Sequence, residues 1–381
     1  MKNYMLIGSA CVVLSPLGLS NVVAESDEVL LMFHQEGYQP YVPGGGEDPG
    51  TPIRLVAGDQ HTLPQDVQDD IVAINHAIEA TTGAIFRQSI ESSPNGRSIL
   101  VQKGPGQSDE YPEGIWIWPY WRDADEMIDL SGQYEHAKWL SNYHLLLRND
   151  GGSKDFHVID WRQPEQAYAL TTEYRRATVR VADNGRWACE TRNNELRVGM
   201  LDPDHDDWAE SYAAIEIDAP IDQMMFMHAG DILVLQCDPE GAEKEIRIYR
   251  IDDLGELQLA SSHVGGGVHG HTTLGRHHFF ARTWEGEFDV FEFGGDELVV
   301  FSIDSSGQIS SMVPVDYEHD GRETPTRVSP SWHFTRTQRR NLIGGIVYDM
   351  RRTPLAEPDA PIPSGTHGNR PGPPLWISWN E

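Results

Sequence analysis

The chain repeats a pattern in which an apolar run ends in an aspartate. The aspartates are separated by 42, 50, 52 and 45 residues, and they are Asp160, Asp202, Asp252, Asp304 and Asp349. Each of these runs follows an earlier apolar run across a polar turn, so that a unit holds about four short strands. A period of roughly 40 to 50 residues with four strands per unit is typical of a β-propeller blade.

One unit resembles a known repeat. Residues 181–189 read VADNGRWAC, and residues 196–202 read LRVGMLD. This pair of segments is similar to the WD40-like propeller repeat of TolB-type proteins, in which a turn of Pro-Asp-Gly type precedes a strand and the next strand ends in Asp. Ala182 replaces the usual proline. The neighbouring units match this repeat only in the spacing of their strands and turns. The resemblance implies a propeller and no particular activity, because this fold carries binding modules and enzymes alike.

We therefore predict an all-β chain with one short helix near its N-terminus, at residues 67–81, where apolar residues share one stripe. The mean spacing of about 47 residues fits seven or eight times into the 381 − 24 = 357 residues that follow position 24, and we expect seven four-stranded blades. Residues 25–381 are predicted to form one propeller domain, with an irregular N-terminal segment at 25–95, clear repeats at about 130–350 and a Pro-rich C-terminal segment at 354–381. Pairing of a terminal strand with the other end of the chain would cover an exposed sheet edge.

Residues 1–24 are predicted to be a cleavable signal peptide. Lys2 precedes an uncharged apolar stretch at residues 5–19, and the stretch is followed by the small-residue cleavage pattern Val22-Val23-Ala24. An uncleaved anchor is the alternative, which is disfavoured because stable spanning needs about 20 apolar residues. We expect a periplasmic or secreted protein that is not inserted in a membrane after cleavage.

The charge balance indicates the environment. The chain has 59 acidic and 29 basic residues and a net charge of −30, which predicts repulsion from nucleic acid and from anionic membranes. Only five of the basic residues are lysines, so 29 − 5 = 24 are arginines. An acidic, lysine-poor surface is what we expect in high salt, and it indicates a marine or halophilic source. An ordinary acidic secreted protein is the alternative.

Two cysteines, Cys189 and Cys237, follow the predicted signal peptide. An oxidising compartment permits a disulfide between them. Both also lie in apolar strand-like runs, where cysteine is most often a small buried hydrophobic residue. The sequence leaves both possibilities open.

Histidines are concentrated between positions 263 and 278. His269 and His271 are two residues apart, so on a strand they point to the same side. We predict these two as the acid and base of an active site, or as ligands of a divalent transition metal such as Zn²⁺, Cu²⁺ or Mn²⁺. The alternative is that they are polar channel residues that bind water and backbone carbonyls.

Further histidines are predicted to converge on the same channel. His136 and His228 each lie 24 residues before the aspartate of their unit, in its first strand, and first strands line the channel of a propeller. His333 belongs to the last unit. We predict that His136, His228 and His333 contribute to binding.

An acidic segment at residues 202–207 suggests a second site. Asp202, Asp204 and Asp206 place carboxylates at alternate positions, as in a calcium-binding loop. The segment lacks the glycine at the sixth position and the distal glutamate of such loops. Weak Ca²⁺ binding and a solvated turn are the two interpretations.

An aromatic run suggests a third site. Trp116, Trp118 and Tyr120 alternate along the chain, so on a strand they share a face on which sugar rings could stack. Packing between blades is the alternative.

The sequence contains no Gly-x-Ser-x-Gly, no phosphate-binding Gly-Lys-Ser/Thr loop, no His-Glu-x-x-His and no paired-cysteine metal motif. Two functions follow as expectations. The first is an exported propeller that binds a protein or glycan partner at the cell envelope or outside the cell. The alternative is a hydrolase or lyase on a carbohydrate or small polar substrate, which uses the channel histidines with or without a metal.

Overall fold

The computed structural model describes residues 28–34, 54–57, 63–83, 90–103, 113–132, 134–149, 156–170, 178–191, 194–202, 209–268, 278–284, 296–314, 323–328, 332–340, 346–354, 362–367 and 375–379. The predicted signal peptide lies outside these residues. Within them, no helix combines the length and the hydropathy that a membrane span requires.

The described chain is built from one α-helix, a short 3-10 turn at His228–Gly230 and 27 strands. In chain order the helix and strands are β1 (Glu28–His34), β2 (Arg54–Ala57), α1 (Gln65–Thr82), β3 (Ile90–Ser92), β4 (Ile99–Lys103), β5 (Gly114–Trp118), β6 (Ile128–Asp129), β7 (Tyr134–Trp139), β8 (His144–Asn149), β9 (Phe156–Asp160), β10 (Ala167–Ala169), β11 (Thr178–Val181), β12 (Arg186–Glu190), β13 (Glu195–Leu201), β14 (Ala209–Glu216), β15 (Ile221–Met227), β16 (Ile232–Cys237), β17 (Glu245–Ile251), β18 (Leu257–Val264), β19 (Gly266–Val268), β20 (His278–Trp284), β21 (Asp296–Ile303), β22 (Ile309–Pro314), β23 (Glu323–Val328), β24 (Trp332–Arg340), β25 (Ile346–Pro354), β26 (Ile362–His367) and β27 (Leu375–Ser378).

Six sheets of the described chain are antiparallel meanders of four consecutive strands. They are sheet 1 (β3–β6), sheet 2 (β7–β10), sheet 3 (β11–β14), sheet 4 (β15–β18), sheet 5 (β19–β22) and sheet 6 (β23–β26). A further sheet, which we call the closing sheet, has the strand order β2-β1-β27. In it Glu28 lies opposite Ser378 and Leu31 opposite Leu375, so the two ends of the described chain pair with each other, as predicted.

Neighbouring sheets are joined by shared clusters of buried side chains. One cluster joins the closing sheet, α1 and sheet 1, and it includes Leu31, Val67 and Trp118. Similar clusters join sheet 1 to sheet 2, sheet 2 to sheet 3, sheet 3 to sheet 4, and sheet 4 to sheet 5. Strand β20 contacts β23 of sheet 6, and β26 contacts β1 of the closing sheet. The sheets therefore follow one another around a ring, which is the architecture of a β-propeller.

The first strands of sheets 3 and 4 approach each other, because β11 contacts β15. Strand β27 of the closing sheet contacts β3, the first strand of sheet 1. The turns that follow the first strands of sheets 1 to 4 meet at one end of the ring, where they line one cavity.

The prediction of an all-β propeller with one helix is confirmed, but the prediction of seven four-stranded blades is wrong as stated. Sheets 1 to 4 are four complete blades with side chains described along most of their length. The closing sheet has only three strands, because α1 lies where a fourth strand would pair. Asn75 of the helix accepts a hydrogen bond from the Leu55 N–H at 3.0 Å and donates one to the Leu55 carbonyl at 2.8 Å, as a neighbouring strand would.

Cys189 and Cys237 are both buried, on β12 and β16 respectively, and no disulfide joins them. The disulfide left open by the sequence is therefore absent, and the buried-hydrophobic interpretation is confirmed. Burial raises the pKa of the Cys237 thiol to about 11.

Candidate functional site

Four turns at one end of the ring form the candidate site. They connect the first to the second strand of sheets 1 to 4, at residues 93–98, 140–143, 182–185 and 228–231. The turns of sheets 1 and 3 share the sequence Asn-Gly-Arg. In both, the glycine N–H donates a hydrogen bond to a carbonyl at the start of the turn. Gly96 donates to Ser93 at 2.9 Å, and Gly185 donates to Ala182 at 3.0 Å.

Side chains and backbone link these turns into a continuous series. The Asn142 Oδ1 accepts a hydrogen bond from the Asn95 N–H at 2.7 Å. Asn142 in turn donates twice to the Asp183 carboxylate, from its N–H at 2.8 Å and from its Nδ2 at 2.6 Å. The Asn184 N–H then donates to the Ala229 carbonyl at 3.4 Å. The four turns are thus fixed relative to one another.

The turns surround an open cavity with an empty volume of about 540 Å³, counting the part that is open to solvent. Its lining is mixed. Asn142, Arg180 and Asp183 supply polar groups, whereas Met225 and Met227 supply apolar surface. Polar groups that converge beside apolar surface are a feature of small-molecule sites.

Arg180 is the charged group of the cavity that lacks an acidic partner. Its Nε donates to the Met224 carbonyl at 3.1 Å and its Nη1 to the Val179 carbonyl at 2.9 Å. In the described part of the chain its Nη2 donates no hydrogen bond, and no carboxylate forms an ion pair with it. Burial lowers the pKa of Arg180.

Several other arginines do have acidic partners. Within the described ranges, six arginines form ion pairs with carboxylates, and they are Arg122, Arg148, Arg162, Arg186, Arg197 and Arg247. Asp183 lines the same cavity as Arg180, but both of its oxygens accept hydrogen bonds from Asn142.

His228 also lines the cavity, and it connects sheet 4 to sheet 5. Its Nε2 lies 2.6 Å from the Ile303 carbonyl, so this nitrogen carries the proton and donates it. The residue has a positive φ of 50°, and the next glycine, Gly230, has a φ of 117°. A Cβ at Gly230 would lie 2.4 Å from the Asn184 Oδ1, so close packing between turns requires glycine here.

A second group of polar side chains lies at the turn of sheet 2. The Ser141 Oγ, which belongs to a residue of the cavity lining, is 2.8 Å from the His144 Nδ1, and the His144 Nε2 is 4.0 Å from an Asp160 carboxylate oxygen. His144 is only 3% exposed. Burial lowers the pKa of His144 to about 4, although the negative charge of Asp160 opposes the shift.

His136 and His228, which are predicted to converge, take different places relative to the cavity. His136 lies on β7, a first strand as predicted, but it is exposed and stands opposite Arg148, four residues before the turn that lines the cavity. His228 follows β15 directly and is one of the lining residues. The interval from turn to aspartate is 20 residues in sheet 2, from Leu140, and 24 in sheet 4, so equal offsets do not mark equivalent positions.

The other predicted histidines are placed only in part. His333 lies on β24, opposite Val328 and Thr353. His269 and His271 lie outside the described residues.

Packing between blades accounts for the predicted aromatic face. Trp116 and Trp118 lie on β5 with 4% and 1% exposure, inside the cluster that joins sheet 1 to α1 and the closing sheet, so neither ring face is open to a sugar. The Trp118 Nε1 donates to the Ala124 carbonyl at 3.2 Å. Tyr120 follows the strand and is 51% exposed.

For the predicted calcium loop, the structure describes Asp202 alone, half-buried after the end of β13, while Asp204 and Asp206 lie outside the described residues. No three His, Cys, Asp or Glu side chains in the described ranges come together as a metal site.

No family model and no curated protein matches the chain. Solved structures match it at low identity. The periplasmic gluconolactonase of Pseudomonas aeruginosa is 12% identical with a TM-score of 0.44, over 92% of this chain and 99% of that one. A putative 6-phosphogluconolactonase of Bacteroides fragilis is 10% identical with a TM-score of 0.42, over 94% and 99%.

A putative TolB from Agrobacterium tumefaciens is 11% identical with a TM-score of 0.36, over 67% of this chain and 95% of that one. The predicted resemblance to TolB-type propellers is confirmed at the level of architecture by the succession of four-stranded sheets around the ring. A propeller fold by itself specifies no activity.

Proposed function

We propose that this chain is an exported β-propeller that binds a small organic carboxylate in the cavity between the turns of sheets 1 to 4. The observation that carries the proposal is Arg180, a partly buried cation of the cavity lining with hydrogen bonds to two carbonyls and no ion pair within the described chain. A buried charge without a counter-charge is costly, and a bound anion removes that cost.

The chemistry of arginine specifies the ligand class. A guanidinium presents planar N–H donors whose geometry matches a carboxylate, and charge-assisted hydrogen bonds of this kind are stronger than neutral ones. The chain has a net charge of −30, so Arg180 is a positively charged group in a protein whose overall electrostatic potential is negative. Anions are therefore attracted to this position while the rest of the surface repels them.

The lining of the cavity supports a small molecule. Asn142 and Arg180 offer polar groups that fix the orientation of a ligand. Met225 and Met227 offer apolar contact beside the polar groups. A free sugar acid would present a carboxylate to Arg180, and so would the acidic terminal sugar of a glycan. The predicted glycan partner would bind in the cavity through such a terminal sugar.

Isothermal titration calorimetry on the mature protein tests this proposal with a panel of free carboxylates, sugar acids and an acidic oligosaccharide. We expect at least one ligand to bind, and Arg180→Gln to weaken its binding at least tenfold. Arg250→Gln is the matched control, because Arg250 is exposed on β17 and the substitution removes the same charge. Equal affinity in the two variants, or no binding across the panel, would overturn the proposal.

The predicted hydrolase or lyase that uses His269 and His271 stays a prediction, as does Ca²⁺ binding by Asp202, Asp204 and Asp206. The segment with the two histidines joins β19 to β20, so in chain order it corresponds to the turns that line the cavity. Elemental analysis of the wild type and of the double variant His269→Ala/His271→Ala tests for a transition metal. N-terminal sequencing of the exported protein, with a mature start at Glu25, tests the signal peptide.

A further inference from the structure

Ser141, His144 and Asp160 form a series of polar contacts that begins at the cavity. The Ser141 Oγ accepts hydrogen bonds from the Tyr143 N–H at 3.2 Å and the His144 N–H at 3.1 Å. Since its oxygen is occupied as an acceptor, the hydroxyl proton is available to the His144 Nδ1 at 2.8 Å. The neutral imidazole then carries its own proton on Nε2, the nitrogen that faces Asp160.

Asp160 is held in its charged form. Burial opposes ionisation, but hydrogen bonds from Arg162 outweigh it and keep the pKa of Asp160 below its ordinary value. The Arg162 guanidinium is fixed in turn, because its carbon lies 4.0 Å from the centre of the Tyr143 ring. A carboxylate beside Nε2 stabilises the positive charge that the imidazole acquires when it takes a proton.

The turn does not need the histidine for its shape. In sheet 1 the equivalent turn also has a serine at its start, and the Ser93 Oγ accepts a hydrogen bond from the Ser98 N–H at 2.9 Å. Ser98 immediately precedes β4, the second strand of that blade, whereas His144 is the first residue of β8 in sheet 2. The Ser98 hydroxyl donates to the Pro119 carbonyl. The imidazole and its acidic neighbour are thus additions to a turn that forms without them.

We infer that Ser141 is a nucleophile, that His144 is its general base, and that Asp160 is a positioning residue for the histidine. The substrate class is an ester. This choice rests on the proposed function, because hydrolysis of an ester releases a carboxylate, the group that Arg180 is proposed to bind. The arrangement has the order serine, histidine, acid, with the two ring nitrogens exchanged relative to the best-known hydrolases.

The reaction balances with water as the only co-reactant. The Ser141 Oγ forms a bond to the carbonyl carbon of the ester and passes its proton to the His144 Nδ1. The bond between that carbon and the alcohol oxygen breaks, and the alcohol leaves with the proton from His144. Water then attacks the acyl group while His144 takes a proton from it, and the acid departs as Ser141 regains its proton.

An alkyl fluorophosphonate tests the nucleophile directly, because it forms a bond to an activated serine oxygen and releases fluoride. We expect the wild type to be labelled at Ser141, as located by mass spectrometry of peptides, and to hydrolyse p-nitrophenyl acetate. Ser141→Ala should abolish both signals, and His144→Gln should slow labelling at least tenfold. Ser305→Ala is the control, since it removes an exposed turn serine of sheet 5 and should leave labelling unchanged.

Two further variants keep the outcome decisive. Ser141→Cys retains a nucleophile if the alanine variant does not fold, and we expect iodoacetamide to alkylate the introduced thiol faster than in the Ser141→Cys/His144→Gln protein. Asp160→Asn should slow labelling and move the acid limb of its pH profile to lower pH, because loss of the negative charge makes the imidazole harder to protonate. A uniform loss of rate with an unchanged profile would assign Asp160 a merely structural role.

The inference and the proposed function fail separately. A folded wild type that binds a carboxylate but is not labelled at Ser141 would overturn the inference alone. Labelling at Ser141 without carboxylate binding would overturn the proposed ligand class and leave the nucleophile in place.

Discussion

Asn142 holds the carboxylate of Asp183 through two hydrogen bonds, one from its backbone N–H at 2.8 Å and one from its side-chain Nδ2 at 2.6 Å. The contact joins the turn of sheet 2 to the turn of sheet 3, across 41 residues of sequence. Because Asn142 is buried and also accepts from Asn95, it is the central link between three blades.

Asp183→Asn is therefore expected to destabilise the fold. The amide would present an N–H₂ group to the donors of Asn142, and hydrogen bonds to a charged group contribute about 2 kcal/mol to the free energy of unfolding. Urea denaturation at neutral pH measures the loss. Asp253→Asn, an equivalent change at an exposed position, should leave the free energy of unfolding within about 0.5 kcal/mol of the wild type. Equal stability of the two variants would show that the contact does not hold the turns together.

The turn glycines of sheet 4 give a second test with a built-in control. Gly230 and Gly241 both have a positive φ, at 117° and 74°. A Cβ at Gly230 would lie 2.4 Å from the Asn184 Oδ1, whereas a Cβ at Gly241 would meet nothing within 4 Å. We expect Gly230→Ala to cost about 3 kcal/mol of unfolding free energy and Gly241→Ala about 1 kcal/mol. Similar midpoints in urea for the two variants would contradict the close approach of the turns.

The repeat could be predicted because its signal is local. Asp252 and Asp304 directly follow the third strands of sheets 4 and 5, and each accepts hydrogen bonds from backbone N–H groups of the turn. The Asp252 Oδ1 accepts from Leu254 and Glu256, both at 2.9 Å, and the Asp304 Oδ1 accepts from Ser306 and Gln308 at 2.8 and 3.0 Å. Because the aspartate stabilises the turn next to it, an aspartate recurs at each turn of this kind, and the repeat period can be read from the sequence.

The cavity could not be predicted in the same way, because its members are distant in sequence and meet only when the ring forms. The link from Asn95 to Asn142 and Asp183 depends on how neighbouring blades pack, and no local pattern encodes it. The interval from turn to aspartate also differs between blades, so equal offsets place His136 within β7 and His228 just after β15. The closest available signal was the Asn-Gly-Arg turn shared by sheets 1 and 3, at Asn95 and Asn184.

The buried imidazole of His144 makes stability depend on pH. Burial lowers the pKa of His144 from 6.5 to about 4, against the opposing influence of Asp160 and Asp183 and with that of Arg162. The unfolded chain then binds more protons than the folded one between these pH values, so stability is lost as the pH falls from about 6.5 to about 4.

His144→Gln should remove this component of the acid sensitivity. At 1.36 kcal/mol per pKa unit, the wild type is expected to lose about 3 kcal/mol more than the variant on going from pH 7 to pH 4. Urea denaturation at both pH values gives the difference, and titration of the carboxylates contributes equally to the two proteins. His136→Gln, at an exposed position, should follow the wild type. If His144→Gln follows it too, the imidazole is not held neutral by burial.

The contact between α1 and β2 explains why the closing sheet has three strands, and it supplies the last prediction. Asn75 satisfies both the N–H and the carbonyl of Leu55, which is 1% exposed, and it also donates to the Ile71 carbonyl of its own helix. Replacing Asn75 with leucine would leave two buried backbone groups without partners, at about 1 to 3 kcal/mol each.

We therefore expect Asn75→Leu to lower the free energy of unfolding by about 2 to 4 kcal/mol, even though leucine favours the helix more than asparagine does. His76→Ala, at an exposed position of the same helix, should change it by less than about 0.5 kcal/mol. Hydrogen exchange provides a second measurement, because the Leu55 amide should lose its protection in Asn75→Leu and keep it in His76→Ala. Retained protection in Asn75→Leu would mean that another group covers the edge of β2, and the helix would then not be the substitute for the missing strand.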